Sequence, residues 1–266
     1  KFDVTWQANH NHSFKLGFMW ISHDVKHKWQ MIRNKYDGQS DLSLYEPEVF
    51  GDSTVYADIF EVKPKEAAAY IQDKMEFENM VINFGIRYDY FDPASYYPSD
   101  RRNPANQLVL PDSMMSTQVD APVIDQISPR VGFAYQLGNQ AVLHFSYGHF
   151  FQMPPLYSMY QNKSFLIGPS DYSTTMGSVL LEPEKTITYE IGLWQELTRG
   201  GNLDVALFYR DIYNLLSTKI ISTYNQIEYG LYSNKDYGNV RGLEVTADLG
   251  YGSLRRMLNY TLQYTR

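Results

Sequence analysis

The chain has 266 residues, no cysteine and a formal net charge of -7. That length suffices for one large domain or two small ones. The lack of cysteine excludes disulfide staples and thiol chemistry, and the acidic balance argues against nucleic acid as a partner. No run approaches the roughly 18 to 20 consecutive apolar residues of a membrane-crossing helix, whereas a β-barrel stays open because its lipid-facing residues alternate with polar ones. Tyrosine stands out, with 23 residues beside 14 Phe and 4 Trp; it suits strands and membrane interfaces alike. Lys1 opens directly into a strand-like run, as expected of a mature or internal segment.

In chain order, Phe2, Val4, Trp6 and Ala8 alternate with Asp3, Thr5, Gln7 and Asn9, the two-residue period of a strand. Asn11-His12 marks a turn, and Phe14, Leu16, Phe18 and Trp20 return against Lys15, Gly17 and Met19. From Ser22 to Phe50 the alternation dissolves into a polar stretch containing Asp37-Gly38, Asp41 and Glu46-Pro47, read as a long loop. Val55 to Val62 is extended, with no register assignable. Glu66 to Phe77 has helix-forming composition but also alternates, and the next run carries Ile82, Phe84, Ile86, Tyr88 and Tyr90 against Asn83, Gly85, Arg87 and Asp89. A turn near Glu78-Asn79 joins two strands.

Asp92 to Asp125 is a second polar loop. Ile127 to Gln152 then forms a long hairpin turning over Gly138 to Gln140, with Val131, Phe133, Tyr135, Phe145 and Tyr147 on one face and Arg130, Gln136, His144 and Ser146 on the other. Met153 to Glu184 is a third loop. Thr186 to Leu197, Leu203 to Leu215, Val240 to Leu249 and Leu258 to Tyr264 resume the period, with turns over Thr198 to Asn202 and Tyr251 to Ser253 and a shorter loop before Val240.

About ten strands result, in five hairpins, with short connections at one end and mostly long ones at the other. An outer-membrane barrel segregates its loops in this way, with short periplasmic turns and long extracellular loops, and strands of about ten residues fit a tilted bilayer crossing. The expected fold is therefore an all-β, antiparallel, up-and-down transmembrane barrel wall. The apolar column faces lipid, and the other faces the lumen with Arg87, Asp89, Arg130, Glu190, Arg210 and Glu244, together with Lys15, Lys74 and Asp248. Charges on the lipid face would cost a few kcal/mol each at mid-bilayer, so their confinement to one face is expected. These charges either form inter-strand ion pairs, dock polar material inside the barrel or meet a ligand.

The loop aromatics Tyr96, Tyr97, Phe150, Phe151, Tyr157 and Tyr160 are candidate ligand contacts, or else interfacial girdle or loop self-packing. No catalytic constellation emerges, and neither a cofactor nor a metal site is expected. The six His are scattered, and only His149 with Asp89 or Asp92 could be imagined as a rim-side pair.

The runs AAAYIQDKMEF with INFGIRYDYFDP, SPRVGFAY with HFSYGHFFQMPP, LEPEKTITYEIGLWQ with ALFYRDIYNLLS, and NVRGLEVTADL with LNYTLQYT follow one another across Pro64 to Thr265. In order and spacing they resemble the barrel of a TonB-dependent outer-membrane receptor of the branch with a carboxypeptidase-regulatory-like N-terminal domain. The resemblance implies energy-coupled uptake of a scarce nutrient, whether a siderophore chelate, a glycan or a peptide, across the outer membrane of a Gram-negative bacterium. It also implies a plug domain, TonB and outer-membrane lipid as partners, and a barrel of about 22 strands. No plug, TonB motif or aromatic C-terminus is evident, so a middle-to-late part of the barrel is expected. The alternatives are a self-contained ten-stranded outer-membrane barrel, acting as pore or surface protease, and a soluble all-β binding module.

Overall fold

The computed structural model describes residues 1–38, 44–197, 200–251 and 254–266. Loop residue Asp41, and positions 198–199 and 252–253 of the last two expected turns, lie outside the described residues. Ten strands form one antiparallel sheet: β1 Phe2–Gln7, β2 His12–Ser22, β3 Lys65–Phe77, β4 Met80–Asp92, β5 Ile124–Leu137, β6 Ala141–Gln152, β7 Glu184–Leu197, β8 Gly201–Tyr213, β9 Tyr237–Tyr251 and β10 Leu254–Thr265. Each pairs with its sequence neighbours, in the order β1 to β10. Among the described residues β1 and β10 do not pair with each other, so the sheet has two edges and lacks the closure of a self-contained ten-stranded barrel.

Register makes the alternation physical. Phe133 lies opposite Phe145, Phe145 opposite Ile191, Ile191 opposite Leu207, and Leu207 opposite Leu243, which in turn faces Leu262. A one-residue slip anywhere would turn this row to the polar side. Phe84, Phe145, Ile191, Leu207 and Leu262 are exposed across this face, and among the described residues no second sheet covers it. Toward the long-loop end the same face becomes aromatic, with Tyr147, Tyr189 and Tyr209 opposite one another and Tyr213 opposite Tyr237. Such a band fits the membrane–water boundary, where the ring is buried and the hydroxyl wet.

Helix propensity in Glu66 to Phe77 yields to this sheet. The run lies between two long partners, pairing Ile71 with both Leu16 and Ile86, and ladder bonds on both sides outweigh a few tenths of a kcal/mol per residue of intrinsic preference.

Charge is less confined than expected. Asp73, Asp125, Lys185, Asp211, Arg241 and Arg256 share the register of the apolar face. Most stand near strand ends, where water and headgroups reach them, and the deeper ones have partners. His12 bonds Asp73 at 2.7 Å, and the Arg241 guanidinium lies 4.9 Å from the Tyr264 ring centroid.

The loops are also more structured than the sequence suggests. In the first, Val25–Gln30 pairs with Ala57–Val62, which settles the register of the latter, and Ile32–Asn34 pairs with Pro47–Val49. In the last, Leu216–Ser222 and Glu228–Asn234 form a hairpin joined by Thr175–Met176 from the third. These strands escape a search for apolar alternation because they stand beyond the sheet's apolar band and carry polar residues on both faces. The first turn also shifts: His12 opens β2, and the Asn9 side-chain carbonyl accepts from the backbone N–H groups of Asn11 and His12 at 2.8 and 2.9 Å.

Candidate functional site

Two surfaces offer polar chemistry: the inner wall of the sheet and the canopy of loops at its long-loop end. On the wall, register puts Arg87, Asp89, Arg130, Glu190, Arg210 and Glu244 on the inner face, with Lys15, Lys74 and Asp248. A concavity of about 870 Å³ is lined by Lys15, Tyr70, Arg87, Arg130, Glu190 and Arg210 among others. Its floor is opened by Gly85, Gly132 and Gly148, which have no side chain to fill it. Glu244 lies one strand beyond Arg210 and outside this lining.

The charges of the wall are handled unequally. Arg87 and Asp89, two residues apart on one strand and so on one face, form a bidentate pair with contacts of 2.7 and 2.9 Å. Arg130 instead lies over Phe150 and Arg210 over Phe208, each 4.7 Å from the ring centroid, which shields one side of each guanidinium and leaves its edge donors free. Among the described residues no ion pair joins Arg130, Arg210, Glu190 or Glu244. Inter-strand pairing is met at Asp248, whose carboxylate accepts from the Arg255 Nε–H of the next strand at 3.0 Å, whereas Arg87–Asp89 and Lys74–Glu76 pair along single strands.

The canopy has its own core. Phe60 and Val62 from the first loop, Phe91 at the end of β4, and Met159, Tyr160, Val179 and Leu181 from the third loop form one cluster; Phe165, Met176, Tyr229 and Leu231 form a second. Tyr160 is 1 % exposed, and its hydroxyl donates to the Pro93 carbonyl at 2.8 Å. Its position is that of loop self-packing, away from any surface a ligand could touch. Tyr229 is fully buried, donates to the Arg101 carbonyl at 2.6 Å, and has its hydroxyl pKa pushed up to about 12 by burial. Burial likewise holds the Arg101 guanidinium below its ordinary value.

The remaining loop aromatics divide. Tyr96 is half-buried, edge-on to Phe165 at 5.9 Å with the Lys163 ammonium 5.0 Å above it. Tyr97 is half-buried against the first cluster, under Arg101. Phe150 faces the lumen and is exposed, Phe151 faces outward opposite Lys185, and Tyr157 is exposed on the canopy. His149 shares the outer column with Ile187 and bonds the Tyr147 hydroxyl at 2.6 Å, whereas Asp89 points inward and Asp92 accepts from the Ala94 N–H. Asp89 is thus split from His149 across the sheet, and Asp92, in the outer register, bonds its own loop instead. Among the described residues no three His, Asp or Glu side chains converge on a metal position.

One feature of the canopy escapes the sequence. Between Val25–Gln30, Ala57–Val62 and the third loop lies a cleft of about 520 Å³ lined by His27, Trp29, Asp58, Tyr157, Gln161 and Asn162 among others. The His27 ring stacks on Phe60 at 4.9 Å and meets Tyr157 edge-on at 5.3 Å. Its only legible trace is the alternation of Val25, His27 and Trp29 within a polar run.

An antiparallel sheet with an apolar outer face, a polar inner face, short turns at one end and packed loops at the other is a wall of the outer-membrane barrel class. The whole chain, residues 1–266, matches the family model described as TonB dependent receptor-like, beta-barrel, and it belongs to that family. No curated protein matches it. Among solved structures it is similar to the hemophore receptor HasR of Serratia marcescens, solved with its hemophore HasA and heme (TM-score 0.60, 17 % identity, 98 % of this chain and 40 % of that one). It is similar also to the ferric enterobactin receptor PfeA of Pseudomonas aeruginosa with enterobactin (0.63, 16 %, 98 % and 34 %) and to the siderophore receptor PirA of Acinetobacter baumannii (0.62, 15 %, 98 % and 35 %). At these identities the likeness is one of fold. The chain spans well under half the length of the receptors it matches.

Proposed function

We propose that this chain is part of the barrel of a TonB-dependent receptor that imports a scarce nutrient across the outer membrane of a Gram-negative bacterium. The canopy would capture the ligand and the inner wall would line its path, while a plug domain and TonB supply gating and energy as the family implies. The observation that carries this reading is the pairing of a polar, glycine-opened wall with a packed loop canopy at one end of it, within a chain of this family. Arg130 and Arg210, which form no ion pair among the described residues and are half-shielded by rings, are the wall residues proposed to meet ligand or plug; Phe150, Tyr157, Tyr96 and Tyr97 are the aromatic ones. Catalysis has no part in this reading.

The test uses the full-length receptor in a strain lacking other receptors of its kind, supplied with a ferric siderophore, an oligosaccharide or a peptide as sole iron, carbon or nitrogen source. Growth on one of them should require both the receptor and TonB. Growth that persists without TonB, or that no nutrient makes receptor-dependent, overturns the reading.

A further inference from the structure

The cleft between the first and third loops gathers buried polar atoms that lack a close hydrogen-bond partner among the described residues, with the Tyr157 hydroxyl standing near the Asp58 carboxylate. Asp58 is 4 % exposed; one carboxylate oxygen accepts from the Asn162 backbone N–H at 2.9 Å, and the other has no hydrogen-bond partner. His27 Nε2 lies 3.6 Å from that second oxygen, within ion-pair range but too far for a hydrogen bond, and has no hydrogen-bond partner among the described residues. Gln161 Oε1 is buried without a partner as well. All three residues line the same cleft. Leaving such groups unsatisfied costs about 1 to 3 kcal/mol each, so a site that gathers three of them is built to be completed from outside.

The chemistry of completion can be read from the inventory. The Asp58 and Gln161 oxygens are acceptors and call for donors, while the imidazole supplies or takes one more proton. Among the described residues neither Lys nor Arg lines the cleft, so an anionic chelate or phosphate would meet the Asp58 carboxylate with no compensating cation from them. Trp29 and Tyr157, both exposed, offer flat apolar walls beside these acceptors. A flat C–H face bordered by hydroxyl donors is the surface of a pyranose ring, and the cleft is of ordinary ligand-pocket size.

We infer that this cleft is a carbohydrate-binding site for a neutral oligosaccharide, in which hydroxyls donate to Asp58 and Gln161, His27 bonds a further hydroxyl, and Trp29 stacks on a ring face. The inference rests on the receptor reading above and narrows its ligand to a glycan. A peptide ammonium, with three N–H donors, is the competing partner for Asp58 and Gln161, but it needs no stacking wall.

The test is titration calorimetry on the purified full-length receptor, without TonB, against maltotetraose, cellotetraose, xylotetraose and chitotetraose, with tetraalanine as the peptide probe. At least one sugar should bind. Asp58→Asn keeps an oxygen for the Asn162 N–H and so preserves the loop, yet should weaken binding about tenfold or more. Trp29→Ala should do the same, and Trp29→Phe should restore most of the affinity. Failure of every sugar to bind, sugar binding indifferent to both Asp58→Asn and Trp29→Ala, or tighter binding of tetraalanine each overturns the inference. A receptor that binds sugar by this cleft but fails to import it refutes the transport reading alone, while import of another nutrient unaffected by Trp29→Ala refutes the cleft alone.

Discussion

Leu207→Arg tests the lipid-facing assignment most directly. Leu207 is the central residue of β8, with six residues on either side, and is 56 % exposed between Ile191 and Leu243. Six residues at about 3.3 Å each, tilted about 45°, put it about 14 Å below either strand end along the membrane normal, close to the middle of a hydrocarbon layer about 30 Å thick. An arginine there should destabilise the folded receptor by about 2 to 4 kcal/mol, about a 30- to 1000-fold loss in the folding equilibrium. On a water-facing sheet the same change at a half-exposed leucine would stay within about 0.5 kcal/mol. The control is Ala206→Arg on the inner face, where register puts the new charge beside Glu244, with an expected change also within about 0.5 kcal/mol. The assay is denaturant unfolding of the full-length receptor folded into phospholipid vesicles. Equal effects at the two positions, or a negligible effect at Leu207, would refute the assignment of the apolar column to lipid.

Other outcomes follow from packing and charge. A double-mutant cycle over Arg87→Ala and Asp89→Ala, read by the same unfolding assay, should give a coupling of about 1 kcal/mol, modest because a wet lumen screens the bidentate pair. Gly242→Ala should destabilise by about 1 to 3 kcal/mol, since its Cβ would stand 2.6 Å from the Phe208 ring and also meet the Leu262 carbonyl oxygen. Gly132→Ala, whose Cβ meets nothing nearer than 3.6 Å, should be tolerated in a side-by-side measurement. Tyr160→Phe leaves the Pro93 carbonyl without its donor and should cost about 1 to 2 kcal/mol, read as faster protease cleavage of the loops in intact cells. The Tyr229 hydroxyl has a folded pKa raised to about 12 against an unfolded value near 10. The folded state therefore holds its proton more tightly, and the stability it contributes is complete below pH of about 10 and lost as pH climbs toward about 12. Loop protection from protease should fall across that window in the wild type and less in Tyr229→Phe.

By itself, the amino-acid order determined the sheet. Alternation over Ile127 to Tyr147, over Thr186 to Tyr209 and over Leu243 to Tyr264 specifies strands, their two faces and their lengths, because a side-chain period of two ties each residue to lipid or lumen. The inward positions of Arg87, Asp89, Arg130, Glu190, Arg210 and Glu244 follow from the same period. What the sequence could not settle is whatever depends on residues far apart in the chain. Whether Glu66 to Phe77 is helix or strand was decided by its two partners, and whether Arg87 finds its counter-ion across a strand or along one was decided by side-chain geometry. The fates of Tyr160 and Tyr157, three residues apart, one in the canopy core and one on its surface, were decided by contacts with Pro93 and His27 from other loops. The Asp58, His27 and Gln161 cleft lies furthest from sequence reading. Its parts come from two loops separated by four long strands and a further loop, and a missing hydrogen bond has no signature in the order of residues.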